Sequence, residues 1–266
     1  MNTDKKNLIL TPFNLLYKIS PKTELKLLFR IKQGYKLNLK NPVTYNEKIQ
    51  WIKLYDKNPL MPKCVDKYTV REYIESIGCR EILNDVLWNG FNPDEIPFDE
   101  LPDKFVIKVT HGSTFNIICT DKSKLDIEDS KKKLNKWLKE KFIESDGDLK
   151  DFKFFCFDGE PKIIGVYSNR FNGDLCQELY DVDWNLINEH TGHYGLPENL
   201  TEKPENLEQM LEYARKISAG FRHVRVDFFN PDNKLIFGEM TFTGSAGFGK
   251  YSSREFAERM GSYLNL

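Results

Sequence analysis

Residues 223–242, HVRVDFFNPDNKLIFGEMTF, read as two strands of alternating pattern around a polar turn. Strand side chains alternate sides, so Val224, Val226 and Phe228 point one way and Arg225, Asp227 and Phe229 the other. Pro231, Asp232 and Asn233 suit a three-residue hairpin turn with Asn233 left-handed, a register that sets 225 and 227 opposite 239 and 237. Asp227, Glu239 and Thr241 then share a face with Arg225. Acids on neighbouring strands repel unless a cation lies between them, and two carboxylates with a neutral oxygen make a hard-oxygen site that suits Mg2+. A solvated hairpin face with a cross-strand Arg225–Glu239 pair accounts for the same residues. A slip of one residue would part the two acids.

The surrounding chain, at 266 residues, 40% hydrophobic and 30% charged, has ordinary soluble composition and length enough for a large core. Lys plus Arg is 39 against 40 for Asp plus Glu, so no global field argues for a nucleic-acid partner. The cations are concentrated early: Lys5, Lys6, Lys18, Lys22, Lys26, Arg30, Lys32, Lys36 and Lys40 face only Asp4 and Glu24 before residue 41. That pattern fits either a solvated helix face or an amphipathic patch for an anionic surface. Five scattered cysteines without a CxxC pair point to neither a disulfide framework nor a zinc ribbon, and so to a reducing compartment. No apolar run has the length of a signal peptide or a membrane span, and a cytoplasmic location is expected.

In chain order, helical spacing predicts a helix over 19–34 ended by Gly34, and Thr44 to Glu47 forms a capping box that opens the next. A helix is predicted after Pro62 through Ile74 to Gly78, with Lys67 and Arg71 on one face, then a short strand near 82–87. Lys104 to Thr120 reads as strand, polar turn and strand. Lys108 interrupts the apolar run 105–109, and a lysine there needs solvent or an anion at its head. The turn His111, Gly112, Ser113, Thr114 brings small residues whose amides can approach phosphate. A charged helix is predicted over 126–142. Asp151 to Val166 is a hairpin turning at Asp158–Pro161, with Lys153 on its first strand. Strand-like material at 168–180 carries Arg170. A long loop, 186–204, holds His190 and His193, which with Cys176 form an incomplete ligand set or plain surface. A helix over 205–219 precedes the opening hairpin, and the glycine turn TGSAGFG, residues 243–249, leads to a last helix over 252–264.

The order of these parts, together with LNLKNPVTYNEKIQW (37–51), DKYTVREYI (66–74), LPDKFVIKVTHGS (101–113), GDLKDFKFFCFDGEPK (147–162), VRVDFF (224–229) and FGEMTF (237–242), resembles the TupA-like ATP-grasp family, associated with teichuronopeptide and capsular polysaccharide synthesis in bacteria. The resemblance runs from about residue 34 to the C-terminus. It implies an α+β ATP-grasp fold: a helical segment over 1–62, an N-terminal subdomain over 63–145 and a C-terminal subdomain over 146–266. It implies ATP and Mg2+, with Lys108, His111, Gly112, Ser113 and Asn116 on the phosphates, Glu140 on the adenine or ribose, and Asp227, Glu239 and Thr241 on the metal. Lys153, Arg170 and Arg225 match basic positions facing the phosphate or acyl-phosphate. The implied reaction is carboxylate–amine ligation through an acyl-phosphate. Its expected partners are a uronic-acid-containing glycan or sugar precursor and an amino acid or amine, with room for peripheral contact with membrane-associated capsule machinery. A kinase, a glycosyltransferase-like enzyme and a non-catalytic nucleotide- or glycan-binding scaffold are the competing readings. Three departures stand out: Ser113-Thr114 replaces Ser-Gly, Thr241 stands where the superfamily usually has Asn, and the chain is short between Trp137 and Asp151.

Overall fold

The computed structural model describes residues 16, 18–110, 116–139, 150–168 and 175–266. Helix α1 (Pro21–Gln33) starts on the Ser20 hydroxyl, which accepts from the Thr23 amide, and stops at Gly34 in the left-handed region. Helix α2 (Tyr45–Tyr55) starts on the expected capping box between Thr44 and Glu47. The single helix expected after Pro62 is instead two, α3 (Met61–Val65) and α4 (Val70–Ser76). Asp66 separates them, because its carboxylate takes the Tyr68 and Thr69 amides at 2.9 and 2.8 Å and so competes with helix continuation. The strand expected near 82–87 is likewise absent from the described residues; a short 3-10 turn, Arg80–Ile82, stands there, followed by buried Leu83 and the exposed residues 84–87.

Strands β1 (Phe105–Lys108) and β2 (Asn116–Cys119) pair antiparallel as a separate two-stranded sheet. Phe105 and Cys119 join Ile96, Phe98 and Leu134 of helix α5 (Ile127–Lys139) in a small core. The other face of this hairpin is open, with Val106 and Ile118 paired across the strands and 49% exposed each. Lys108 lies on that open face, so the run 105–109 is a half-exposed strand and its ammonium reaches solvent.

The main sheet has five antiparallel strands in the order β5-β4-β3-β6-β7. They are β3 (Asp151–Phe157), β4 (Glu160–Ser168), β5 (Cys176–Tyr180), β6 (His223–Phe229) and β7 (Ile236–Thr241). Asp158 and Gly159, both at positive φ, close the β3–β4 hairpin as the sequence predicts. One face carries Phe152, Phe154, Val166, Val226 and Phe228 into a core with α4 and with α6 (Leu207–Ser218). On the opposite face, Phe155, Phe157, Ile163 and Leu179 lie under Ile49 and Ile52 of α2 and Phe256 and Met260 of α7 (Arg254–Ser262). These helices cover only part of that face. Asp151, Lys153, Arg225, Asp227, Glu239 and Thr241 occupy the rest.

Where the covered part meets the polar part, His223 is buried between Cys156 and Tyr45. Its Nδ1 donates to the Cys156 carbonyl at 2.9 Å, which leaves Nε2 to accept the Tyr45 hydroxyl proton at 2.7 Å. Burial lowers its pKa from 6.5 to about 4, the Cys156 bond opposing and the Arg225 charge assisting. All five cysteines are buried free thiols. No helix among the described residues is long and apolar enough to cross a membrane. Because the unfolded chain protonates His223 at a higher pH than the folded chain, this group's contribution is intact above about pH 6.5 and falls on acidification to about pH 4, by about 3 kcal/mol in all. Urea unfolding across that window should show this loss in the wild type and a shallower pH slope in His223→Gln; equal slopes would remove His223 as the source.

Candidate active site

Each side chain of the polar patch is placed by strand register. Across β3, β6 and β7, Lys153 stands opposite Asp227 and Asp227 opposite Glu239, while Arg225 stands opposite Thr241. The expected register, with 225 facing 239 and 227 facing 237, is therefore corrected. Nearest the turn, Phe228 pairs with Phe237 and Phe229 with Ile236. Continued unbroken, that pairing would put Glu239 beside Val226, on the apolar face. A bulge at Gly238 adds one residue to β7 and returns Glu239 to the face of Asp227. Gly238 suits the bulge because a Cβ there would lie 2.9 Å from the Asp227 carbonyl oxygen. The turn ahead of it also differs slightly from expectation: Asp232 is left-handed as well as Asn233.

Asp227 is 2% exposed. Its Oδ1 accepts from Arg225 Nε at 2.6 Å, and its Oδ2 accepts from Arg225 Nη2 at 2.6 Å and from Lys153 Nζ at 2.5 Å. Lys153 also meets Asp151 Oδ2 at 2.5 Å and lies 5.4 Å from the centre of the Tyr167 ring. Arg225 Nη2 further donates to Thr241 Oγ1 at 3.1 Å and Glu239 Oε1 at 3.3 Å, and Thr241 donates to the same Glu239 oxygen at 3.2 Å. Burial alone would raise the Asp227 pKa, but Arg225 and then Lys153 more than offset it and hold the carboxyl below its ordinary value. Burial likewise opposes the Arg225 charge, and Asp227 raises that pKa above the usual arginine range.

The structure thus gathers Lys153, Arg225, Asp227, Glu239 and Thr241, five of the residues expected from sequence. Lys108 and Asn116 face each other on the two-stranded sheet instead. His111, Gly112, Ser113, Glu140 and Arg170 lie outside the described residues. Asp151 was missed, although its position two residues before Lys153 on one strand puts it on the same face. Tyr167 and Gln177 were missed because only the β4 and β5 registers bring them in, Tyr167 opposite both Asp151 and Gln177. Among the described residues no three His, Cys, Asp or Glu side chains form a metal cage, and Cys176, His190 and His193 assemble none. Asp227, Glu239 and Thr241 converge on Arg225, two carboxylates and a hydroxyl that form a partial set of oxygen donors of the hard kind that suits Mg2+.

The glycine turn beside this cluster is held from behind. Gln50 Nε2 donates to the carbonyls of Ala246 and Gly247 at 3.1 and 3.0 Å, and Asn46 Nδ2 to those of Gly247 and Gly249 at 3.2 and 2.9 Å. Lys53 Nζ donates to Ala246 at 2.9 Å. These bonds stabilise positive φ at Ser245 and Ala246, which costs non-glycine residues roughly 1–2 kcal/mol each. Sequence did not single out Asn46, Gln50 and Lys53, although their spacing puts them on one helix face.

Two substitutions test this geometry by chemical denaturation. Gly238→Val should cost about 1–3 kcal/mol through its clash with the Asp227 carbonyl. Asp227→Asn should cost about 3–5 kcal/mol, because buried Lys153 and half-buried Arg225 lose their shared counter-charge. Wild-type stability in either variant would contradict the packing or the charge balance described.

Comparison with known proteins places the chain in a family. The sequence model of the TupA-like ATP-grasp family matches residues 47–147 and 144–265. The two matched segments overlap at residues 144–147. No curated protein matches at a significant level. Among solved structures, the D-alanine–D-alanine ligase of Helicobacter pylori is 17% identical with a TM-score of 0.43, over 83% of this chain and 69% of that one. The D-alanine–D-alanine ligase of Bacillus anthracis is 17% identical with a TM-score of 0.39, over 68% of this chain and 57% of that one. The ATP-grasp ligase PsnB, solved with a minimal precursor, is 12% identical with a TM-score of 0.39, over 76% of this chain and 63% of that one. The family match spans most of the chain and agrees with the α+β architecture: the protein belongs to the TupA-like ATP-grasp family.

Proposed function

We propose that the protein is an ATP-dependent ligase that joins a carboxylate to an amine through an acyl-phosphate. The observation carrying this reading is the convergence of Asp227, Glu239 and Thr241 beside the cations Arg225 and Lys153, in a chain of the ATP-grasp family. A carboxylate does not condense with an amine near neutral pH, because it is resonance-stabilised and its oxide is a poor leaving group. Attack of a carboxylate oxygen on the γ-phosphorus breaks the bond to ADP and replaces that oxide with phosphate. The amine then attacks the acyl carbon, phosphate departs, and the amine proton passes to solvent.

Mg2+, held by Asp227, Glu239 and Thr241, would neutralise charge on the phosphates. Lys153, held between Asp151 and Asp227, and Arg225 bring positive charge to the same shelf, where donors acting on developing negative charge count for more than water does. Lys108, exposed on β1 and paired with Asn116 on β2, would meet the phosphates together with that residue. His111, Gly112 and Ser113 of the turn between them, Glu140 at the nucleotide and Arg170 at the acyl-phosphate complete the proposed set. For the substrates we infer a uronic acid of a cell-surface glycan, or its sugar precursor, and an amino acid or small amine. A cytoplasmic location and peripheral contact with capsule machinery go with that reading.

ADP release with Mg2+ across panels of uronic acids and amines tests the proposal. Turnover that requires both partners and yields an amide is expected; phosphate transfer that needs no amine would replace ligation with kinase chemistry. Glu239→Gln is the cleaner variant, since Glu239 is about one-third exposed whereas Asp227 is buried. It should retain wild-type stability and lose on the order of 10²-fold or more in kcat. Unchanged turnover would remove Glu239 from the site.

A further inference from the structure

The three groups proposed as metal ligands share one partner atom. Arg225 Nη2 lies 2.6 Å from Asp227 Oδ2, 3.1 Å from Thr241 Oγ1 and 3.3 Å from Glu239 Oε1. Lys153, the other cation of the cluster, reaches only the Asp227 member of this set. Oxygens from two strands that converge on a single nitrogen mark the point where their potentials add, which makes it a cation position.

We infer that Arg225 is the resident cation of the metal position, and that a divalent ion enters only together with an anionic nucleotide that draws the guanidinium away. The inference rests on the assignment of Asp227, Glu239 and Thr241 as metal ligands. Three physical facts carry it. First, Arg225 takes both Asp227 oxygens and Lys153 shares one of them, so no oxygen of this carboxylate is without a cation. Second, Mg2+ needs oxygen ligands at about 2.0–2.1 Å in near-octahedral directions. The guanidinium fills the space between the same three oxygens, so both cations cannot hold the position together.

Third, the local charges decide the order of events. Asp151, Asp227 and Glu239 bring three negative charges and Lys153 and Arg225 two positive ones. A free divalent ion would add two positive charges while the displaced guanidinium, 18% exposed at its side chain, gained no new anion. A triphosphate supplies that anion, and the planar fork of arginine matches phosphate as it matches carboxylate. Arg225 therefore keeps the ligand oxygens gathered in the nucleotide-free protein, limits their repulsion, and turns to phosphate when the metal–nucleotide pair arrives. It is a positioning residue in the first state and a phosphate-facing one in the second.

The test reads metal occupancy and no chemistry. Mn2+, used as a paramagnetic stand-in for Mg2+, is titrated into the full chain and followed by its electron paramagnetic resonance signal, with and without a non-hydrolysable ATP analogue. The wild type should bind Mn2+ weakly alone and tightly with the analogue. Arg225→Met, with Arg225→Gln as the substitute should the methionine variant fail to fold, should bind Mn2+ without nucleotide about tenfold or more tightly than the wild type. Wild-type binding of Mn2+ alone as tight as that of the variants would overturn the inference. If no protein binds Mn2+ even with the analogue, the ligand assignment falls with it. A lack of amine-dependent turnover would refute ligation yet leave this measurement standing.

Discussion

A carboxylate buried in the middle of a five-stranded sheet is the constraint on which the rest of the structure depends. Asp227 can stay ionised there only because cations approach it from its own strand and from the next, Arg225 two residues before it on β6 and Lys153 across from it on β3. Lys153 is shared with Asp151 and Arg225 with the part-exposed Glu239, so the polar patch is one connected network centred on Asp227. Its cost is offset by the apolar surroundings. The far face of the same strands is filled by phenylalanines and valines, which fix the backbone that fixes the charges.

The N-terminal helices have two tasks in this arrangement. Helix α2 lays Ile49 and Ile52 on the apolar half of the sheet and, through Tyr45, fixes the tautomer of buried His223. From a second face its Asn46 and Gln50 hold the glycine turn in a left-handed conformation beside Arg225. Helix α7 and the long loop close the same side: Glu189 accepts from the Ser252 and Ser253 hydroxyls, and the Thr191 amide donates to buried Gln177 at 2.7 Å. The segment ahead of the two sheets thus supports the shelf on which chemistry is proposed.

The two-stranded sheet stands in contrast. With one apolar face in a small core of its own and the other open, β1–β2 exposes Val106 and Ile118 around Lys108. That face offers apolar contact and the Lys108 ammonium, while the five-stranded sheet offers acids and arginine. The division of labour proposed for the nucleotide follows from that difference in chemistry between the two sheets.

Much of this was legible in the sequence, for a reason that can be stated residue by residue. Period two alone placed Arg225 with Asp227, the Thr44–Glu47 box fixed the start of α2, and Asp158-Gly159 marked the hairpin. All of these are local rules that act within a few residues. The ordered blocks around Lys108, Lys153 and Asp227 pointed to the family, and the family match agrees. Tertiary structure decided what local rules leave open. Asp66 broke a helix by capturing two amides, and only the sheet register brought Tyr167 and Gln177 alongside the charges. Above all, the bulge at Gly238 set Glu239 opposite Asp227. A strand's sequence fixes which residues share a side, but which residues meet across strands depends on how closely two backbones approach, and here that approach leaves no room for a side chain at residue 238.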